Sequence, residues 1–443
     1  MQEKHEYPAT GYAWFVVFLL FCAYILSYLD RQLLALLVEP IKQDLGLSDT
    51  QMGLLLGPAF ALFYATMGLP LGWLADRYSR RTIVGIGITI WCAATAAAGL
   101  ARSYIHLFVT RVLVGVGEAS LSPCALSLIT DYFPPNRRSR AIAFYTGAVS
   151  IGAGIAYLIG GKIIQWARPM EMPIVGIVNP WQVVFLVVGL PGLLIALLMF
   201  TVREPKRTGT AATAEITGEQ AGLPTTFRYL LKRWRSFGSI FGCMSLITVL
   251  AYTHFWMPAF FSRTWDWDIP KFGFYNGVAL LILGPTSVNT GGWIADWLTN
   301  RGRPDGPVIV LLSGTLIMLV SSVAFPIMPS DLSSFGVYLF TIIGAAIATA
   351  TAPAAIVSIA PGQIRSQTIA LFYLTISLIG AGLGPPSVAF FTDYVFGDEA
   401  AINYSLALVP VVFGVLGLFP MLMIRNAFAR ELADRQAVMA AAT

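Results

Sequence analysis

Two full charges of opposite sign, Arg111 and Glu118, stand in a stretch, 103–132, that is otherwise apolar enough to cross a bilayer. Seven residues is about two helical turns, so both side chains lie on one face. Gly115, Gly117 and Ala119 surround the glutamate and let a neighbouring helix approach closely. A guanidinium suits two-point recognition of phosphate or carboxylate. A carboxylate at membrane depth can take up and release a proton, and charges there face a bundle interior or a water-filled cavity. The pair therefore predicts a polar site inside the membrane. Asp30, flanked by apolar runs in the first such segment, is expected to join it as a protonatable partner of Arg111. If Asp30, Arg111 and Glu118 meet in one cavity, their charges sum to −1, and the cluster is expected to hold one proton at rest. Arg31 and Lys162 are left to face lipid headgroups or each other. In the seventh segment His254, with Tyr252 and Trp256, is a possible substrate contact, and a packed, hydrogen-bonded core cluster is the plainer alternative.

The elements that must position these residues follow from composition. Hydrophobic residues make up 56% of the 443 and charged residues 12%, with a mean hydropathy of +0.71. A soluble domain carries roughly twice that charge, so the soluble enzyme classes fall away. The usual spacings of catalytic nucleophiles are missing, so no enzymatic activity is expected. Cys22, Cys92, Cys124 and Cys243 share no metal or redox spacing, and the histidines at 5, 106 and 254 form no cluster, so neither metal nor cofactor is expected. The net charge of +5 sits in loops rather than on one face, which excludes a nucleic-acid surface. The first residues lack the basic start of a cleaved signal peptide, and the apolar run after them reads as the first span.

Twelve apolar segments are marked off by charged and Pro/Gly breaks, near 13–38, 51–74, 82–101, 103–131, 140–165, 181–202, 237–262, 271–297, 306–327, 333–360, 365–392 and 403–426. With both termini in the cytoplasm, that side holds 20 Lys and Arg and the other side 5, which favours a multi-pass protein of the inner membrane in this orientation. The stretch 203–226 reads as a flexible linker. In the residues after it, Phe227, Leu230, Leu231 and Trp234 fall on one face of a short basic amphipathic helix expected on the cytoplasmic membrane surface. The halves repeat each other. Gly72-Trp73-Leu74-Ala75-Asp76 recurs as Gly292-Trp293-Ile294-Ala295-Asp296, Arg81 as Arg301, and Gly152-Ala153-Gly154 as Gly380-Ala381-Gly382. The expected organisation is an N-terminal six-helix bundle over 1–202, a linker with its amphipathic helix over 203–236, and a C-terminal six-helix bundle with a tail over 237–443. Two parallel six-helix halves are the pattern of a transporter with a site at their interface.

The run Gly72-x-Leu74-Ala75-Asp76-Arg77-x-Ser79-Arg80-Arg81 resembles the signature loop of the major facilitator superfamily, with Ser79 where that family usually has glycine. Arg111-x-x-x-Gly115-x-Gly117-x-Ala119 resembles its fourth-helix motif, and Gly380-x-x-x-Gly384-Pro385 its proline-bearing motif, here in the eleventh segment. Within the superfamily, Ser27-Tyr28-Leu29-Asp30-Arg31-Gln32, Asp44-Leu45-Gly46-Leu47-Ser48-Asp49 and Gly115-Val116-Gly117-Glu118-Ala119-Ser120 look like the spinster group. The resemblance implies an all-α fold of twelve transmembrane helices in two pseudo-symmetric bundles, and secondary active, proton-coupled transport of a sphingolipid or lysophospholipid. Related carriers of sugar acids and organic anions share part of the pattern and supply the alternative, a proton symporter of a small anion. A non-transporting receptor or scaffold is the remote third reading. The resemblance also implies that Gly72, Asp76, Arg77, Arg80, Arg81, Asp296 and Arg301 act as a conformational latch. The expected partners are a substrate, a proton and the lipid bilayer, with the chain a monomer.

Overall fold

The computed structural model describes residues 7–172, 176–206, 223–361 and 364–441. Among these residues are twelve helical spans long and apolar enough to cross a membrane. They are Thr10–Leu36, Asp49–Arg77, Arg80–Ala98, Tyr104–Tyr132, Arg140–Trp166, Pro180–Thr201, Trp234–Trp265, Ile269–Asn300, Gly306–Ile327, Asp331–Ile359, Gln367–Phe396 and Glu399–Ala433. Each falls within a few residues of its expected place, apart from the last, which runs on at its C-terminal end. Helices are what an apolar chain must form in lipid, because they satisfy every backbone polar group within the segment.

Several spans are broken, and local sequence explains the breaks. The fourth is two helices, Tyr104–Glu118 and Leu121–Tyr132. Pro123 has no N–H to give the carbonyl of Ala119, and the Ser120 hydroxyl donates to the Gly117 carbonyl at 2.8 Å. Glu118 thus ends its helix next to a kink. The second span breaks at Gly57, where Pro58 starts the longer piece. The seventh passes through a turn of 3₁₀-helix at His254–Trp256. A two-stranded hairpin, Met170–Met172 against Gly176–Val178, links the fifth and sixth spans; hydropathy gave no sign of it.

The chain divides into two compact units. Unit 1 comprises residues 1–211, with 257–262 and 266–281; unit 2 comprises 212–256, 263–265 and 282–443. In unit 1 the first span packs on the fifth, and the third on the fourth and sixth. In unit 2 the seventh packs on the eleventh, and the ninth on the tenth and twelfth. These are the same neighbours shifted by six spans, so the repeat read from residues is also a repeat of packing.

Glycines carry that repeat into atomic detail. A Cβ on Gly87 would sit 2.7 Å from the Gly117 carbonyl oxygen, and one on Gly117 would sit 2.7 Å from that of Gly87. Gly314 and Gly344 exclude each other's Cβ in the same way, each meeting the other's carbonyl oxygen at 2.7 Å. Both contacts are helix–helix crossings at backbone distance, which only glycine permits. Away from such crossings, Leu69, Leu194, Leu197, Val320 and Leu416 are all more than half exposed, as side chains that face lipid are.

Candidate functional site

The first, third and fourth spans bring Asp30, Arg111 and Glu118 together as buried residues of unit 1, at 1%, 4% and 1% exposure. The first span contributes Ser27 and Arg31, four residues apart on one face, and Asp30 beside them. The Ser27 hydroxyl donates to Glu118 Oε2 at 2.6 Å, and Arg31 donates to the same oxygen through Nε at 2.8 Å, with its Nη2 at 2.7 Å. From the third span, Thr95 donates its hydroxyl to Asp30 Oδ2 at 2.9 Å. Arg31 lies over three rings, with Phe60 4.6 Å, Tyr64 4.8 Å and Tyr28 5.3 Å from its guanidinium carbon. The Arg111 guanidinium lies 5.3 Å from the Phe60 ring. The backbone of the second span comes close because Gly115 permits it: a Cβ there would meet the Phe60 carbonyl oxygen at 2.5 Å.

Glu118 is bonded to Arg31 and Asp30 to Thr95, while Arg111, the expected partner of Asp30, lies within electrostatic range of both acids. Asp30, Glu118, Arg31 and Arg111 are all close enough to interact electrostatically. With Arg31 included, two positive and two negative charges sum to zero, and the expected −1 no longer holds. A resting proton is therefore not needed for neutrality. Three polar atoms inside the cluster, Asp30 Oδ1, Glu118 Oε1 and Arg111 Nε, are buried without a hydrogen-bond partner among the described residues. Buried polar atoms left unpaired cost about 1–3 kcal/mol each, so the cluster has capacity for a ligand or a proton.

Arg31 was expected to face lipid headgroups or Lys162 and is instead held by Glu118, while Ser27 and Thr95 had no role assigned from the sequence. The available signal was periodicity: Ser27 and Arg31 are four residues apart and flank Asp30, which places one donor on each side of the acid's turn. Thr95 carried no signal, since a lone threonine in an Ala-rich helix is unremarkable.

In unit 2, Trp256 is fully buried and donates its indole N–H to the Pro385 carbonyl at 3.0 Å. His254 stands edge-on to Tyr338 at 5.2 Å, with Nε2 buried and unpartnered among the described residues. Tyr252 packs edge-on against Phe255. The set is a packed aromatic cluster in which His254 alone has an unspent ring nitrogen.

The latch residues divide. Asp76, Arg77, Asp296 and Arg301 are exposed, and a Cβ on Gly72 or Gly292 would meet nothing within 4 Å. Arg77 lies over Trp73 at 4.0 Å and Arg301 over Trp297 at 4.1 Å. Arg80 is instead buried inside unit 1. It donates to Asp131 Oδ2 at 2.5 Å, to the Ser127 hydroxyl at 2.8 Å and to Glu204 Oε1 at 2.8 Å. Arg81 donates to the Val202 carbonyl at 2.6 Å, and its backbone N–H to Glu204 Oε2 at 3.0 Å. Half-burial works to raise the Glu204 pKa, but donation from the Arg81 backbone and from Arg80 outweighs it, and the carboxyl is held below its ordinary range. Glu204 and Asp131 are thus anchors that the sequence reading did not identify. Unit 2 has a counterpart with the signs exchanged, where Arg425 in the last third of the twelfth span binds Asp305 just before the ninth at 3.0 Å.

Twelve spans in two repeated sets of six, with a buried charge cluster in the first set, define a multi-pass membrane transporter. The chain belongs to the Major Facilitator Superfamily, whose family model matches residues 20–385. Within that family it is spinster-like. A bacterial homologue of the human lysosomal transporter Spinster, solved in an inward-facing, unoccupied conformation, superposes with a TM-score of 0.82 at 26% identity, over 96% of this chain and 99% of that one. An MFS-type efflux pump of Mycolicibacterium smegmatis is 30% identical over 90% of this chain and 89% of its own length. A probable L-galactonate transporter of Escherichia coli is 27% identical over 64% of this chain and 62% of its own length.

Proposed function

We propose that the protein is a secondary active transporter that works by alternating access, carries an amphipathic lipid with an anionic head, and couples it to a proton. One observation carries this reading: a buried cluster whose charges sum to zero and which still holds three unpaired polar atoms. An anion entering such a cluster alone would leave it at −1, and an unpaired charge in a low-dielectric site is costly. One proton taken up by Asp30 or Glu118 restores the sum. Anion and proton therefore bind more favourably together than apart, which is a thermodynamic coupling of the two. Arg111 is the residue with an unspent donor, so it receives the phosphate or carboxylate.

The surroundings support an amphipathic substrate. Tyr24 stacks on Tyr145 at 5.0 Å, Phe21 packs on Phe144 at 4.6 Å, and Phe60 stacks on Tyr64 at 5.3 Å. Of these rings Phe60 and Tyr64 lie against Arg31, which sets apolar surface beside the charges. The L-galactonate carrier among the relatives supports the alternative, a small sugar acid held by the same arginine. Residues Gly72, Asp76, Arg77, Asp296 and Arg301 are proposed as the latch. The proposed setting is the inner membrane, with both termini in the cytoplasm.

Reconstitution in liposomes decides between the substrates. Lysophospholipids and sugar acids are offered in parallel, with the pH gradient imposed or collapsed. Gradient-dependent movement of the lysolipid, lost in Arg111→Ala, is the expected result. Movement of the sugar acid alone would transfer the function to the alternative. Transport that ignores the gradient in the unaltered protein, or gradient dependence kept in full by both Asp30→Asn and Glu118→Gln, would remove the proton from the mechanism.

A further inference from the structure

At one end of unit 2, where helix Leu223–Lys232 runs into the seventh span, lies a cavity of about 880 Å³. Lys232, Arg233 and Arg235 line it from that helix and the residues after it, and Arg430 from the last helix. Glu431 is the one carboxylate in the lining, so four cations against one anion leave a balance of +3. Arg233 is already engaged, with Nε 2.7 Å from Glu431 Oε1 and its guanidinium 4.5 Å from the Tyr229 ring. The excess therefore falls on Lys232, Arg235 and Arg430.

Apolar side chains complete the lining. Trp234 and Phe419 stack at 6.3 Å between ring centroids, with 15° between planes. They are 47% and 59% exposed, and Leu422 beside them is 77% exposed. A soluble phosphate would account for the cations but not for this exposed apolar lip. An apolar protein surface would account for the lip but would strand three cations. A ligand with a phosphate at one end and acyl chains at the other satisfies both.

We propose that this cavity binds an anionic phospholipid, with its phosphate between Lys232, Arg235 and Arg430 and its chains over Trp234, Phe419 and Leu422. The site is separate from the charge cluster of unit 1 and does not depend on what that cluster transports. Polybasic segments beside a membrane attract anionic lipid; the cavity adds a fixed geometry to that attraction. A bound lipid here would tie the helix after the linker to the last span.

The test is native mass spectrometry of the full-length protein purified in a neutral detergent. Phosphatidylglycerol and phosphatidylcholine of identical chains are titrated separately, and glycerol 3-phosphate is added as a soluble competitor. Phosphatidylglycerol is expected to stay bound under activation that strips phosphatidylcholine, to lose at least tenfold in affinity in Lys232→Gln/Arg235→Gln/Arg430→Gln, and to resist the competitor. Equal retention of the two lipids, or unchanged binding in the triple variant, overturns the proposal. Displacement by glycerol 3-phosphate overturns it in favour of a simple phosphate site. If the triple variant does not fold, Arg430→Gln alone serves, read as the loss of thermal stabilisation by phosphatidylglycerol; full stabilisation in that variant counts against the site.

Discussion

Arg31 changes the chemistry of the cluster more than any other residue. It gives Glu118 two of the three donors on Oε2 and turns an expected charge of −1 into zero. Sequence reasoning found the acids and Arg111 because charges in apolar runs are conspicuous, and it left Arg31 to lipid headgroups or Lys162 because an arginine can snorkel to the membrane surface. The side chains in fact diverge, Asp30 toward Thr95 and Arg31 toward Glu118. Glu118→Gln would leave Arg31 facing a neutral amide in a buried setting. Removing one partner of a buried pair costs about 3–5 kcal/mol, and the amide oxygen recovers part of that. The thermal midpoint of Glu118→Gln in detergent should therefore fall clearly, and that of Arg31→Ala further, because it also abandons three aromatic rings. A double variant, Arg31→Ala/Glu118→Gln, should lose less than the sum of the two; strict additivity would mean that the residues do not act as a pair.

Among the elements, the spans were legible because length and hydropathy leave a membrane chain few choices. The breaks within spans were less so, although Pro58 and Pro123 marked two of them, since proline in a membrane helix kinks or continues depending on neighbours that the sequence does not show. The closest crossings are set by glycine. Gly117→Val would drive a branched side chain into the Gly87 carbonyl and Trp91, whose backbone nitrogen lies 2.9 Å from the added Cβ. Overpacking of this kind costs about 1–3 kcal/mol when side chains can yield, and here the obstacle is backbone. Loss of folded, monodisperse protein is expected for Gly117→Val and for its repeat mate Gly344→Val, whereas Gly72→Val, which meets nothing, should purify normally. Size-exclusion profiles at equal expression make the comparison.

The anchor formed by Glu204 predicts a pH response of the third and sixth spans. Its carboxyl is held below the ordinary value of 4.5 in the folded protein. The folded state thus favours the ionised form. That stability is complete above about pH 4.5 and is lost as pH falls through the folded value. Unfolding midpoints measured from about pH 6 down to about pH 3 should therefore drop more for the unaltered protein than for Glu204→Gln. Parallel curves would mean that the carboxylate contributes nothing there. Sequence alone did not expose this anchor, because Glu204 stands among basic residues just outside a span and reads as a solvated loop charge.

For the whole molecule, the repeat was legible in short matching motifs, and the packing of the first, third, fourth, fifth and sixth spans recurs in the seventh, ninth, tenth, eleventh and twelfth. The detail of the charged ends was not legible, because the same junction uses Glu204 with Arg80 in one unit and Arg425 with Asp305 in the other. What twelve spans do fix is the side on which each loop emerges. The loop between the eighth and ninth spans and the loop between the eleventh and twelfth must lie on opposite sides, since three spans separate them. Lys and Arg are concentrated on the side of the former, 20 against 5, and the proposed orientation puts that side in the cytoplasm. Arg303 and Asp398 are exposed residues in those two loops. Three of the four native cysteines, Cys92, Cys124 and Cys243, are buried, so once Cys22 is replaced the background for thiol labelling should be low. In such a protein, Asp398→Cys should react with a membrane-impermeant maleimide added to intact spheroplasts, and Arg303→Cys should react only after the membrane is opened. The reverse pattern would invert the orientation and place the helix at Leu223–Lys232, with the cationic cavity beside it, on the outer face.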